Sequence, residues 1–289
     1  MAGAVDGLHF GVVGVTDVGR ALDFYCGLLE FTLVERQPGT ADQGDRCRLA
    51  SDGRFLVLQE LRPGRGEPGW VNDDLQAGMR HIGLKVDDID AWAERVRSAG
   101  ARFTLEPTAA FGDVRICFFL DPDGAHLEFI QGDVNYTSVT SPDLVEAERA
   151  APVPATPRFD HVAVSVADLG TALGFYTGHL GFPVLGQLRE DDPERGFTIT
   201  YLQAGPGILE IFSFSEPLLV NSFNASSPAP GLLHLGLAAA DVPAAVAHLL
   251  AGGATLLGAD GAQTHDMALL TDADGTPLEV SSCYLPRAD

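Results

Sequence analysis

Residues 159–182 read FDHVAVSVADLGTALGFYTGHLGF. Apolar and polar residues alternate from Phe159 to Val166, the period of a half-buried strand. Asp168 then offers an N-cap oxygen, and apolar residues recur at helical spacing until the turn at Gly181. His161 opens the strand, seven residues before the cap.

The same unit occurs three more times. LHFGVVGVTDVGRALDFYCGLLEF carries the cap Asp17, with Phe10 seven residues before it. RHIGLKVDDIDAWAERVRSAG places His81 seven residues before Asp88, and LHLGLAAADVPAAVAHLLAGG places His234 seven before Asp241. Each unit is followed by three short strand-like segments: FTLVER, RCRLAS and FLVLQEL; FTLEP, VRICFFLD and HLEFIQ; FPVLGQL, FTITYLQ and GILEIFSF; ATLLG, MALLTD and PLEVSS. Asp52-Gly53 and the turns Asp121–Gly124 and Asp272–Gly275 punctuate them. A recurring supersecondary unit outranks other signals in reading a fold. The expectation is an α+β protein of four βαβββ modules, paired in chain order into two cupped mixed sheets. Its domains are 1–132 and 158–289, joined by a linker over 133–157 that is rich in Ala, Pro and Ser and ends in APVPATP.

Bulk properties narrow the partners. The 289 residues carry a formal charge of −22, and Lys85 is the single lysine among 18 basic residues. Such a field repels nucleic acid and anionic membranes. From residue 158 onward the fixed cations are Arg158, Arg189, Arg195 and Arg287, a poor match for a polyphosphate cofactor. A neutral or cationic small molecule fits better. No apolar run reaches membrane-spanning length, and MAGAVDGLHF lacks a secretory pattern, so the expected location is cytoplasmic. Cys26, Cys47, Cys117 and Cys283 lack CxxC spacing and read as free thiols.

The chemistry-bearing residues lie at repeated positions. The last strands of three units place Glu directly after Leu: Glu128, Glu210 and Glu279. A carboxylate in an apolar strand is costly to bury without a partner, and a cation is a suitable one. In the second pair of units His161, Glu210, His234 and Glu279 form a His2Glu2 set, suited to Zn²⁺, Ni²⁺, Co²⁺, Mn²⁺ or Fe²⁺. The first pair offers a less complete second pocket from Phe10, Gln59, His81 and Glu128, with Gln59 aligned to Glu210 because each follows Leu.

The motifs HVAVSVADLGTALGFYTGHLGF, HIGLKVDDIDAWAERVRSAGA and FLDPDGAHLEFIQ resemble the vicinal oxygen chelate superfamily, which includes glyoxalase I, extradiol dioxygenases and bleomycin resistance proteins. The resemblance implies paired βαβββ units cupped around a divalent metal, with His161, Glu210, His234 and Glu279 on the ligand positions. It implies Lewis-acid and general-base chemistry on a small oxygenated molecule, with Glu210 or Glu279 carrying the proton. Extradiol ring cleavage fits less well: no His lies between His179 and His234, the stretch THDMALLTDADGTP before Glu279 has no Tyr, and only His265 could stand in. Tandem units in one chain leave no need to dimerise, so a monomer or a homodimer is expected. The alternative is a resistance-type binder without turnover, lined by Trp70, Trp92, Phe111, Phe118 and Phe119.

Overall fold

The computed structural model describes residues 4–39, 44–62, 75–191, 196–219, 221, 223, 228–257 and 264–283, apart from the Phe111 side chain. All four units form. The first has β1 (Gly7–Val15), α1 (Val18–Leu22), β2 (Thr32–Gln37), β3 (Arg46–Ser51) and β4 (Arg54–Glu60). The second has β5 (Gly78–Lys85), α2 (Ile89–Ser98), β6 (Arg102–Ala109), β7 (Arg115–Leu120) and β8 (His126–Gln131). After β9 (Ser138–Val139) and α3 (Pro142–Arg149), the third has β10 (Arg158–Ser165), α4 (Leu169–Leu173), β11 (Val184–Glu190), β12 (Phe197–Ala204) and β13 (Gly207–Phe214). The fourth has β14 (Gly231–Ala238), α5 (Val242–Ala251), β15 (Thr255–Leu256), β16 (Met267–Thr271) and β17 (Pro277–Ser281).

The caps act as their spacing predicts. Asp17 accepts from the Arg20 amide (3.0 Å), Asp88 from Ala91 (3.1 Å), Asp168 from Thr171 (2.6 Å) and Asp241 from Ala244 (3.0 Å). These bonds satisfy amides that a helix start would otherwise leave unpaired. α1 and α4 each widen into a π-helical turn, Asp23–Leu28 and Gly174–His179. Each turn buries a tyrosine that reaches the next unit. Tyr25 donates to Asp121 (3.0 Å) and Tyr176 to Asp272 (2.7 Å).

The pairing of units departs from chain order. One sheet runs β15-β16-β17-β14-β1-β4-β3-β2, joining the first unit to the fourth. The other runs β6-β7-β8-β5-β10-β13-β12-β11-β9, joining the second to the third. The junctions are antiparallel, β1 on β14 and β5 on β10. Units of the same half touch through helix and turn, as the tyrosine bonds show, while units from opposite halves share a ladder.

The segment 133–157 also carries more structure than its composition suggests. β9 extends the edge of the second sheet by pairing with β11, and α3 buries Val145 in a small core with Leu185, Leu188 and Tyr136. Ser141-Pro142 supplies a helix start that a short amphipathic run then uses.

The main core spans both sheets and α1, α2, α4 and α5. The sheets meet at their central strands, where Gly11 of β1 stands against Ile82 and Phe159; a Cβ on Gly11 would come 2.7 Å from Ile82. Strand alternation sends Ile82 and Leu84 into that core and the side chain of His81 to the opposite face. Each sheet therefore presents its repeated His and Glu positions on the face away from the shared core.

Candidate functional site

In the second sheet the register assembles four side chains on four adjacent strands. His161 of β10 lies opposite Gly83 of β5, which lies beside Glu128 of β8. His81 lies opposite Ala163, which lies beside Glu210 of β13. The pseudo-twofold relation thus contributes one His and one Glu from each unit. His81 Nε2 is 3.2 Å from His161 Nε2, 3.3 Å from Glu128 and 3.7 Å from Glu210. His161 Nε2 is 2.8 Å from Glu128 and 3.7 Å from Glu210. Ligand atoms of His81, His161 and Glu210 all lie within 4.8 Å of one another. All four residues are buried.

Two imidazole nitrogens facing each other beside two carboxylates are a poor arrangement for a packed core. They suit a cation. Donors held about 2.0–2.2 Å from one ion stand roughly 2.8–3.6 Å from each other at octahedral or tetrahedral angles. The observed edges fall in or just beyond that range, and a mixed imidazole and carboxylate set suits a divalent first-row ion.

The surroundings tune this cluster. Asp160 accepts from His161 Nδ1 (3.2 Å), which leaves Nε2 to face the other ligands. Asp160 is itself anchored by Arg54 at 3.5 Å. The two glutamates titrate far apart. Burial, then the Glu128 and Asp160 charges, pushes Glu210 up to about 7 against the pull of His161. Burial also opposes ionisation of Glu128, but His81 and His161 overcome it and hold that carboxyl down to about 2. Beside His81 stand Phe118, at 5.0 Å between ring centroids, and Phe212, at 6.4 Å. His126 stacks on Phe118 and is bonded to Thr104; burial, then the nearby His81, depresses it to about 3.

The set expected from sequence is therefore divided. His161 and Glu210 meet His81 and Glu128, the two histidine and glutamate candidates of the supposed second pocket. His234 and Glu279 lie in the other sheet, with ring nitrogen and carboxylate 3.4 Å apart. There the first unit supplies Phe10 opposite Gly236, and Val57 beside Val12. By register Val57, not Gln59, is the counterpart of Glu210; Gln59 lies two residues further along, beside Gly14. Phe10 and Val57 are fully buried in a small apolar cluster. Arg46 of β3 bonds to Glu279 and donates to Gln59 (3.2 Å). Two apolar residues and a fixed guanidinium do not fit a metal centre. Arg46 had no distinguishing signal in RCRLAS, and Asp160 was hidden beside the more conspicuous His161. His265 is exposed and precedes β16 of this first sheet. Trp92 packs on Phe129, and Phe119 is core. Trp70 and the Phe111 side chain lie outside the described residues.

The family model described as the glyoxalase/bleomycin resistance protein/dioxygenase superfamily matches residues 7–129 and again 158–280. The chain belongs to this superfamily. Among its relatives, lactoylglutathione lyase GLX1 from Arabidopsis thaliana is 26% identical over 192 residues, covering 65% of this chain and 58% of that one. The anthracycline biosynthesis protein DauV from Streptomyces sp. strain C5 is 30% identical over 177 residues, covering 58% of each. The chain spans 49% of a chloroplastic relative from Arabidopsis thaliana. Among solved structures, glyoxalase I from Zea mays superposes with a TM-score of 0.67 at 20% identity, covering 95% of this chain and 92% of that one. That likeness concerns the fold. No helix among the described residues is long and apolar enough to cross a membrane.

Proposed function

We propose that this superfamily member is a divalent-metal enzyme that moves a proton between neighbouring positions of a small, oxygenated organic molecule. The observation that carries this reading is the meeting of His81, Glu128, His161 and Glu210 at 2.8–3.7 Å across two units. These four residues would hold the metal. When bound, the ion supplies a Lewis acid that polarises a substrate carbonyl.

The chain's own groups divide the remaining work. Glu128, firmly ionised, binds the cation as a permanent anion. Glu210 takes the proton from the carbon beside the carbonyl and returns it to the adjacent carbon, the work of a general base held within reach of the reacting atoms. The hydroxyl of Tyr201, bonded to Glu210, orients that carboxyl. Asp160 keeps His161 in one ring orientation. Phe118 and Phe212 limit water beside His81. The charge of −22 favours neutral or cationic substrates. Four free cysteines accord with a reducing, cytoplasmic setting. Each sheet is completed within one chain, which accords with a monomer.

The test uses purified protein and hydroxyacetone as a probe of proton exchange. Metal analysis is expected to find one divalent ion per chain, and exchange with deuterated water is expected to vanish on chelation. Exchange that persists after complete metal removal would rule the reading out. So would a metal content unchanged in His161→Ala. Ligand binding by metal-free protein without any turnover would favour the resistance-type alternative.

A further inference from the structure

The other sheet holds the larger opportunity. Its cup contains a cavity of about 500 Å³, lined on its polar side by Arg46, Gln59, His234 and Glu279 and on its apolar side by Phe223 and Leu233, among others. That volume lies in the range of small-molecule sites. At its wall two buried polar atoms lack a hydrogen-bond partner: His234 Nδ1 and Glu279 Oε2. His234 is 8% exposed and Glu279 1%. They face each other at 3.4 Å, within ion-pair distance but without hydrogen-bond geometry, so neither atom's hydrogen-bonding capacity is met. Buried polar atoms left without a partner are destabilising.

We propose that this cavity is a second binding site, independent of metal, for a neutral organic molecule that presents a hydroxyl group on an apolar body. The charges at this buried pair select that class. Arg46 already neutralises the carboxylate of Glu279 through its other oxygen, so an ammonium group gains little there. A ligand carboxylate would meet Glu279 head on. Burial resists ionisation of Glu279, yet Arg46 and then His234 keep it below the usual carboxylate range, so it accepts and does not donate. A hydroxyl meets both needs at once: its hydrogen goes to Glu279 Oε2, and its oxygen accepts from His234 Nδ1. Phe223 packs edge-on against the His234 ring at 5.8 Å and gives the apolar body a wall. Phe10 and Val57 occupy the remaining ligand positions of the repeat, so a cation does not compete.

The test titrates chelator-treated protein with 2-naphthol and with 2-methoxynaphthalene, the same ring system without a donor. Saturable binding of one naphthol per chain, at least about 10-fold tighter than the methyl ether, is expected from one answered buried pair. Glu279→Gln is expected to erase most of that preference, while His81→Gln, in the other sheet, leaves it intact. Because a buried substitution can unfold the chain, wild-type protein also carries a readout. The His234 Nδ1 resonance, assigned by its loss in His234→Gln, should shift with naphthol and stay fixed with the ether. Absence of saturable naphthol binding, equal affinity for both compounds, or loss of binding in His81→Gln would overturn the proposal. None of these results depends on turnover at the metal-type centre.

Discussion

The imidazole of His161 occupies the space that a Cβ on Gly83 would need: Cε1 lies 2.0 Å from that point. Glycine at this position of β5 lets the opposing strand lay its ring across the sheet towards His81. In the other sheet Gly236 gives the same room to the ring of Phe10, at 2.2 Å. The two glycines mark equivalent floors, one under a candidate ligand and one under a hydrophobic plug.

Gly83→Ala should therefore displace His161 without replacing any candidate ligand. We expect Zn²⁺ affinity to fall by at least about 10-fold, the scale on which misoriented ligands act, with the chain still folded by circular dichroism. Unchanged affinity measured by competition with a chromophoric chelator would refute the role given to this glycine.

Alanine at His81 or His161 should abolish stoichiometric metal, whereas alanine at His234 should leave it at wild-type level. Mass-spectrometric metal analysis of the three variants decides between this cluster and the chain-order set. Loss in His234→Ala with retention in His81→Ala would reverse the assignment.

Metal affinity should rise with pH. Burial, then Glu128 and Asp160, raises Glu210 to about 7, so in metal-free protein it keeps its proton below neutrality and a cation must displace it. Apparent Zn²⁺ affinity should climb from about pH 5.5 to about 7, because binding releases that proton. Glu210→Gln should flatten this part of the profile. A wild-type affinity that falls over the same interval would contradict the assignment.

Tyr25→Phe should destabilise the fold by about 1–3 kcal/mol at pH 8, since a buried carboxylate loses its donor. Burial lifts Asp121 to about 6. A raised native pKa means that its contribution is fully present below the unfolded value, about 4, and is lost as pH rises through 6. Removing the tyrosine hydroxyl lifts that pKa further, so the cost of the substitution should shrink at pH 5. Urea unfolding at both pH values measures it; an equal cost at both would exclude the linkage.

Much of this was legible in the chain. The Asp caps at 17, 88, 168 and 241 and the strand repeats follow local rules, and local rules survive folding. Which unit pairs with which is not local. Every first strand has the same alternating pattern, so sequence offers β1 no preference between β5 and β14. The choice is made by packing, with Tyr25 and Tyr176 tying neighbours through their helices and leaving the strand edges free for the distant half. The position of Gln59 failed for a related reason. Its Leu-Gln step imitates Leu-Glu, but the ladder to β1 sets register by hydrogen bonds and puts Val57 in that place.

The nesting of the pairs, second with third inside first with fourth, has a consequence for biosynthesis. Once residue 132 has left the ribosome, β1 and β5 are both bare edges, and exposed strand edges are templates for aggregation. β5 finds β10 soon after, so the sheet bearing His81 and His161 closes early. β1 waits for β14, with Val12 meeting His234, and the nascent chain stays vulnerable along that one edge until its last quarter emerges.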